Sequence, residues 1–293
     1  MPGGNSDIRD ALLHVADLHF WHVTANPLRL LNKRALGNLN VWWRRRHQFV
    51  MGNALPFVDA LDAAGPRTLL LTGDSASTSL DEEFVRARHF VNALRDRGFA
   101  IHLLPGNHDV YTFESVRKRR FEKYFSEWLP GESFPARVTL PGGTPLVLVP
   151  TVCPNLVSSR GRIGDREVAQ VKALLADAPE PIVVAGHYPV LDKTPTYETN
   201  PDRRLRNADA LRRALGESGK RILYIAGHVH RFSYVVDAVY PTLTHLTTGT
   251  FFGRNPRENI DGEFSELHVS ESSFALFRHT HAQTWHRREI NCG

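Results

Sequence analysis

Five short polar clusters in this 293-residue chain each follow directly on an apolar run. They are Asp17-Leu18-His19, Gly73-Asp74, Gly106-Asn107-His108-Asp109, Gly186-His187 and Gly227-His228-Val229-His230. Apolar runs of this length indicate buried strands, and in open α/β sheets ligands bind outside the carboxyl ends of the strands. We therefore expect the five clusters to converge on one site.

The clusters offer the oxygen and imidazole donors of a metal site. The candidate ligands are Asp17, His19, Asp74, Asn107, His187, His228 and His230. Such a set suits Mn²⁺, Fe or Zn²⁺ better than Ca²⁺, Mg²⁺ or a Cys-type zinc site. Seven ligands are too many for one open catalytic metal, but they suit two metals that share a carboxylate and lower the pKa of a bridging water. The sequence therefore predicts two divalent transition metals (Mn²⁺, Fe²⁺/Fe³⁺ or Zn²⁺) and hydrolysis by hydroxide formed near neutral pH.

The elements that must position these residues alternate between strand and helix along most of the chain. Predicted strands cover 11–16, 68–72, 99–104, 146–150, 181–185 and 222–226. Predicted helices cover 47–63, 79–97, 114–128, 165–176 and 208–217, the second opening on a Ser79–Glu82 capping box. Short alternating strands follow at 233–236, 243–247, 266–269, 274–277 and 283–286. This order indicates an α/β protein with two packed sheets in a single domain, residues 1–293.

The motif series D-x-H, G-D, G-N-H-D, G-H, G-H-x-H resembles that of the calcineurin-like metallophosphoesterase superfamily, and in particular its bacterial phosphodiesterase-type members. The resemblance covers roughly residues 11–250. It implies a four-layer αββα sandwich of two mixed β-sheets flanked by helices. The superfamily includes purple acid phosphatases, Mre11-type nucleases and cyclic-nucleotide phosphodiesterases, so the motifs identify a phosphoesterase rather than a substrate.

The resemblance also implies a role for each motif residue. The first metal would be held by Asp17, His19 and His230, the second by Asn107, His187 and His228, and Asp74 would bridge both. His108 would stabilise the transition state or protonate the leaving oxygen, and Asp109 would orient His108. The sequence departs from the G-D-x-x-D form of the second motif, because residues 73–77 read Gly-Asp-Ser-Ala-Ser.

The net charge of +5 arises in one segment. Lys and Arg number 36 against 31 Asp and Glu, yet residues 20–58 hold six Lys and Arg and no acid. A helix over about 27–46 would place Leu, Ala and Trp side chains on one face and most of its basic residues, Arg45 included, on the other. It is interpreted either as a connector packed on the core or as a basic amphipathic insert that contacts an anionic membrane or substrate. Nucleic acid is disfavoured, because the rest of the chain sums to −1.

Substrate residues are expected in the loops around the strand ends. Phe20 and His22 would line the pocket mouth, and Arg203, Arg204 and Arg254 would bind phosphate oxygens. The first expectation for the substrate is a cyclic-nucleotide-like or general phosphodiester. The alternatives are a lipid-linked diphosphate at the membrane surface, as in the UDP-diacylglucosamine hydrolases, and a non-catalytic interaction module on the same fold.

The sequence is typical of a globular protein with 42% hydrophobic and 23% charged residues. Two cysteines, Cys153 and Cys292, cannot form a disulfide framework. The first residues do not resemble a secretory signal, and no apolar run reaches membrane-spanning length. We therefore expect a cytoplasmic protein, with peripheral contact at the inner membrane surface as the alternative.

Overall fold

A computed structural model describes residues 8–27, 33–131 and 133–291, and its centre is a pair of mixed six-stranded sheets. The first sheet contains β1 (Ile8–Val15), β2 (Thr68–Leu71), β3 (Ala100–Leu103), β12 (Gly262–Ser270), β13 (Phe274–Ala282) and β14 (Thr284–Ile290). The second contains β4 (Ala136–Thr139), β5 (Pro145–Leu148), β7 (Ile182–Ala185), β9 (Ile222–Ala226), β10 (Ser233–Val236) and β11 (Leu243–Thr247). A separate two-stranded sheet pairs β6 (Gly161–Arg162) with β8 (Leu205–Arg206).

The strand order places parallel strands at the centre of both sheets. The first sheet runs β14-β13-β12-β1-β2-β3, in which β1, β2 and β3 are parallel. The second runs β10-β11-β9-β7-β5-β4, in which β11, β9, β7 and β5 are parallel. The carboxyl ends of parallel neighbours lie at the same edge of a sheet, so the loops that follow them are brought together.

Helices cover the outer face of each sheet. They are α1 (Arg34–Asn40), α2 (Arg46–Gln48), α3 (Ala54–Ala64), α4 (Asp81–Asp96), α5 (Phe113–Arg117), α6 (Arg120–Phe125), α7 (Asp165–Ala176) and α8 (Ala208–Gly216). A π-helical turn, Val41–Arg45, joins α1 to α2.

Three apolar clusters separate the layers. Leu12 of β1 packs between the sheets with Leu223 of β9, whereas its neighbour Leu13 packs beneath α3 and α4. The side chains of adjacent strand residues point to opposite faces, so each central strand serves two clusters. The third cluster joins α7 and α8 to the second sheet. The predicted four-layer αββα sandwich is confirmed.

Three predicted helices differ in detail. The helix predicted over 114–128 is divided into α5, α6 and a 3-10 turn, with Arg119 in the left-handed region between the two helices. The helix predicted over 47–63 is interrupted at Phe49, which is extended, buried and bridged to Gly253, and α3 begins only at Ala54. The predicted Ser79–Glu82 capping box is also wrong by one residue, since Glu83 Oε2 accepts from the backbone N–H of Leu80. Residues 28–32 of the predicted basic segment, and Cys292, lie outside the described residues.

Candidate metal centre

The loops after five parallel strands supply the predicted ligands, from both sheets. Those after β1, β2 and β3 carry Asp17, His19, Asp74 and Asn107, and those after β7 and β9 carry His187, His228 and His230. The first two loops run side by side, because the Asp17 N–H donates to the Gly73 carbonyl (3.2 Å) and the His19 N–H to the Asp74 carbonyl (2.7 Å). The structure therefore brings together all seven side chains.

The backbone at most of these residues is left-handed. The φ angle is 55° at Asp17, 50° at His19, 55° at Asp74, 68° at His228 and 54° at His230. Residues other than glycine rarely adopt this region, although Asn, Asp and His tolerate it best. Such strain concentrates at functional sites, where the surrounding structure maintains it.

Close packing of two loops depends on Gly106. A Cβ atom at that position would lie 2.1 Å from both the backbone nitrogen and the Oδ1 atom of Asp74. The absence of a side chain lets the loop after β3 reach Asp74, whose Oδ1 accepts from the His108 N–H at 2.8 Å. Packing therefore requires glycine at the first position of the G-N-H-D motif.

The donor atoms form two groups that meet at Asp74. In the first, His19 Nε2 lies 3.1 Å from His230 Nε2 and 3.5 Å from Asp74 Oδ2, and Asp17 Oδ1 lies 3.6 Å from His230 Nε2. In the second, His187 Nε2 lies 3.4 Å from Asp74 Oδ1. Each oxygen of Asp74 therefore faces a different group.

The second group is completed by an amide and another imidazole. Asn107 Oδ1 lies 3.1 Å from His187 Nε2 and 2.9 Å from His228 Nδ1. Burial lowers the pKa of His228 well below its ordinary value, so its ring is neutral. Its Nε2 carries the proton, because it lies 3.0 Å from the Arg203 carbonyl oxygen. The lone pair of Nδ1 consequently faces the Asn107 oxygen, and two facing acceptors are an arrangement that suits a cation.

The charge of the cluster leads to the same conclusion. Asp17 and Asp74 are buried, and each belongs to His/Asp groups whose donor atoms lie within 4.8 Å of one another. Burial alone would lower the pKa of His187, but the Asp74 carboxylate outweighs burial and raises it to about 9. The carboxylates thus draw positive charge into the site. These buried His/Asp groups are consistent with a binuclear metal centre.

His108 lies beside the two groups and is oriented by a backbone carbonyl. Its Nδ1 lies 2.6 Å from the Ser77 carbonyl oxygen, which accepts the ring proton. Burial, with a contribution from Arg45, lowers the pKa of His108 to about 3, so its ring is neutral and Nε2 carries a lone pair.

The expectation that Asp109 orients His108 is wrong. The Asp109 carboxylate accepts from three backbone N–H groups instead, those of Gly106 (2.8 Å), Ala76 (2.8 Å) and Ser75 (3.2 Å). Burial and the nearby Asp74 raise the pKa of Asp109 to about 7. Asp109 therefore fixes the turns that carry Asp74 and Asn107.

The predicted substrate residues are dispersed. Phe20 is only 5% exposed and packs on Phe90 and Phe252, so the expectation that it lines the pocket mouth is wrong. It faces the core because its backbone is bridged to Ala76 as the chain leaves β1. The other four are half-buried or exposed: His22, Arg203, Arg204 and Arg254.

Two of these arginines have clear partners. Arg204 forms an ion pair with Asp192 at 3.0 Å and donates from Nε to the Thr199 carbonyl. Arg203 contacts a predicted ligand, but through its backbone, whose carbonyl accepts from His228. Arg254 is exposed, and its backbone N–H donates to the Gln48 carbonyl.

Arg45 was missed, because helical periodicity places it on the outer, solvated face. In the structure its Nη2 lies 2.8 Å from His108 Nε2, and its Nη1 lies 3.5 Å from His19 Nδ1. The π-helical turn explains the difference: its wider spacing rotates the residues that follow relative to an α-helix. The available signal was the run of three arginines in an acid-free segment directly after the first motif.

The predicted division of the segment into a buried apolar face and a solvated basic face is wrong. Arg34 is 3% exposed and donates to the carbonyl oxygens of Thr78 (3.0 Å) and Ser79 (3.2 Å). The apolar residues instead face solvent, with exposed fractions of 67% for Leu36, 61% for Leu39, 48% for Trp42 and 74% for Trp43. These four side chains therefore do not pack on the core as the connector interpretation expected, although Val41 of the same segment is fully buried.

The sandwich and its buried His/Asp cluster define a class, the metal-dependent phosphoesterases. The calcineurin-like phosphoesterase family model matches residues 11–232, and the chain belongs to this family. No curated protein matches the chain.

Solved structures share the fold at low sequence identity. A dimetal phosphatase from Danio rerio is 14% identical with a TM-score of 0.64, and the match covers 96% of this chain and 99% of that one. Purple acid phosphatase PPD1 from yellow lupin is 12% identical with a TM-score of 0.59, covering 96% and 52%. A 5'-nucleotidase from Candida albicans is 12% identical with a TM-score of 0.52, covering 98% and 52%. The chain thus spans about half the length of the last two.

Proposed function

We propose that this protein hydrolyses a phosphodiester at a centre of two divalent transition metals, Mn²⁺, Fe²⁺/Fe³⁺ or Zn²⁺. The supporting observation is that the two carboxylate oxygens of Asp74 face different donor groups. Asp17, His19 and His230 would hold one metal and Asn107, His187 and His228 the other, with Asp74 shared. When bound, the metals supply Lewis-acid stabilisation and an activated water.

The remaining chemistry belongs to side chains of this chain. His108 would contact the phosphoryl or leaving oxygen through Nε2 after that nitrogen takes up a proton, because the Ser77 carbonyl accepts the proton on Nδ1. Asp109 would hold the turns around Asp74 in place through its three backbone hydrogen bonds. Arg203 would keep the His228 ring in the tautomer whose Nδ1 is available as a ligand.

A substrate panel tests the proposal. Metal-free protein is loaded in turn with Mn²⁺, Fe²⁺ or Zn²⁺ and assayed on bis(p-nitrophenyl) phosphate, p-nitrophenyl phosphate, cyclic nucleotides and a nucleotide-diphosphate lipid. We expect metal-dependent turnover that is faster on the diester than on the monoester. Metal binding without turnover on any of these would indicate the interaction-module alternative.

One observation favours the lipid-linked substrate as a second candidate. The segment around α1 exposes Leu36, Leu39, Trp42 and Trp43, which we call the apolar ridge. Exposed contiguous apolar residues mark binding surfaces, and Trp is favoured where a membrane meets water. Arg44 and Arg46 are exposed beside the ridge and would attract anionic lipid.

A second exposed apolar element lies next to this segment. Lys33 Nζ donates to the Ser158 carbonyl at 2.7 Å, which joins the start of α1 to the loop that carries Leu156 and Val157. Those two side chains are 76% and 84% exposed. We propose that residues 27–46 form an insert whose ridge seats on an anionic membrane while Arg45 faces the metal centre. Among the described residues, no helix is long and apolar enough to cross a bilayer.

Vesicle binding tests this second candidate. At low salt, anionic vesicles should retain the wild-type protein, whereas the double variant Trp42→Ser/Trp43→Ser should bind at least tenfold more weakly, because burial of two indoles is lost. The control is Val239→Ser, which removes an exposed apolar side chain elsewhere. Equal retention of all three proteins, or no retention of wild type, would exclude membrane contact through the ridge.

A further inference from the structure

We propose that Arg45 is a substrate-binding residue whose guanidinium binds the phosphate group at the metal centre. This inference rests on the proposed function and adds to it a charged contact that comes from the basic segment rather than from the motifs.

The guanidinium lies among residues of the site. Its Nη2 is 2.8 Å from His108 Nε2, and its Nη1 is 3.3 Å from His108 Nδ1, 3.4 Å from the Ser77 carbonyl oxygen and 3.5 Å from His19 Nδ1. The group therefore touches both a predicted metal ligand and the residue proposed to contact the phosphoryl oxygen. A phosphate bound between the metals and His108 would replace the His108 ring as the acceptor for Arg45 Nη2.

The charge of Arg45 is not balanced by a direct ion pair. Among the described residues, no carboxylate oxygen lies within 4.0 Å of its guanidinium, whereas Arg34 and Arg120 share Glu114 at 2.9 and 2.8 Å. A partly desolvated cation whose direct partners are all neutral is costly. Burial accordingly lowers the pKa of Arg45. A phosphate anion would supply the missing charge, and the planar fork of arginine fits two phosphate oxygens.

The backbone holds the residue in this position. Arg45 ends the π-helical turn Val41–Arg45, and its carbonyl accepts from the Phe49 N–H at 2.8 Å. Phe49 is buried and bridged to Gly253 in the loop that precedes β12. Isolated π-turns of this kind occur frequently at functional sites. The Arg45 side chain therefore extends from a hydrogen-bonded turn rather than from an unanchored loop.

Phosphate binding to the Mn²⁺-loaded protein is the direct test. Calorimetry gives the affinity for inorganic phosphate, and inhibition of bis(p-nitrophenyl) phosphate hydrolysis by phosphate gives an independent value. We expect Arg45→Ala to bind phosphate about 10- to 100-fold more weakly, as expected for loss of hydrogen bonds to a charged group. It should also raise KM while retaining the wild-type metal content.

Two further variants separate binding from folding. Arg45→Lys should recover part of the affinity, because it keeps the charge but loses the fork. Arg117→Ala, which removes an exposed arginine of α5, should behave as wild type. Phosphate affinity of Arg45→Ala equal to that of wild type would overturn the inference alone. Wild-type protein that neither binds phosphate nor turns over substrate would overturn the proposed function with it.

Discussion

The imidazole of His108 faces the centre through one nitrogen only. Its Nδ1 is committed to the Ser77 carbonyl at 2.6 Å, so any contact with substrate must use Nε2. We expect His108→Ala to lower kcat about 10²- to 10⁴-fold, the usual contribution of a positioned proton-transfer group. Metal content should stay unchanged, since the proposed ligands remain. His286→Ala, which removes an exposed histidine on β14, is the control, and its kcat should match wild type.

An equal kcat in both variants would remove His108 from the chemistry. A joint loss of metal and activity in His108→Ala would instead make its ring a structural support of the centre, because that ring packs against the His19 ring with centroids 4.9 Å apart. Metal analysis alongside the rate measurement distinguishes these outcomes.

The sequence predicted those site residues whose positions depend only on the strand that they follow. The seven candidate ligands follow strands directly, so strand topology alone brings them together. Asp109 could not be assigned in this way, because three backbone N–H groups compete for its carboxylate and only folded loops supply them. Arg45 could not be assigned either, since its direction depends on a π-turn that no residue pattern announces.

At the scale of elements, Glu114 of α5 anchors the start of the basic segment. Its carboxylate accepts from Arg34 (2.9 Å) and Arg120 (2.8 and 2.9 Å) and pairs with Lys118 (2.8 Å). Burial raises the pKa of Glu114, but these cations outweigh burial and lower it to about 2. The anchor is therefore a pH-dependent contribution to stability.

A depressed pKa makes this contribution complete above the ordinary glutamate value, near 4.5, and lost as the pH falls through about 2. We expect Glu114→Gln to lower the free energy of unfolding by about 1–3 kcal/mol at neutral pH. The difference from wild type should disappear near pH 2. Urea unfolding at both pH values measures it. The control is Glu122→Gln, whose 3.8 Å pair with Arg119 is solvent-facing and should contribute little.

Element boundaries were predictable where the burial pattern is regular, either amphipathic as in α7 or continuous as in β9. The helix predicted over 165–176 and the strand over 222–226 have the observed bounds of α7 and β9. The strand β4 was missed because it alternates between half-buried and exposed residues at a sheet edge. The strand β12 begins before its predicted start because Glu263 is buried against Arg278, and charged residues in a sequence indicate solvent.

At the scale of the whole molecule, the proposed metals would join the two sheets. Asp17, His19, Asp74 and Asn107 leave the first sheet, and His187, His228 and His230 leave the second. A metal that binds only the folded state stabilises that state by about 2.7 kcal/mol when its concentration is 100 times Kd. For a chain of this size we expect Mn²⁺ to raise Tm by about 5 °C over metal-free protein.

A matched pair of variants makes the thermal shift specific. Asp74→Asn removes the shared carboxylate and should abolish most of the shift and of the bound metal, whereas Asp177→Asn, an exposed position after α7, should retain both. An identical shift in Asp74→Asn would show that Mn²⁺ stabilises the protein from another place.

The apolar ridge also gives the protein an internal optical probe. Trp42 and Trp43 lie 6.1 Å apart in the same π-turn that ends at Arg45, and both indoles are in water. Indole emission shifts to shorter wavelength when water is replaced by hydrocarbon. The emission of the wild-type protein, compared with that of Trp42→Ser/Trp43→Ser, which keeps the other three of the five tryptophans, would therefore report when the ridge is covered. The timing of this shift relative to turnover would reveal whether covering precedes catalysis.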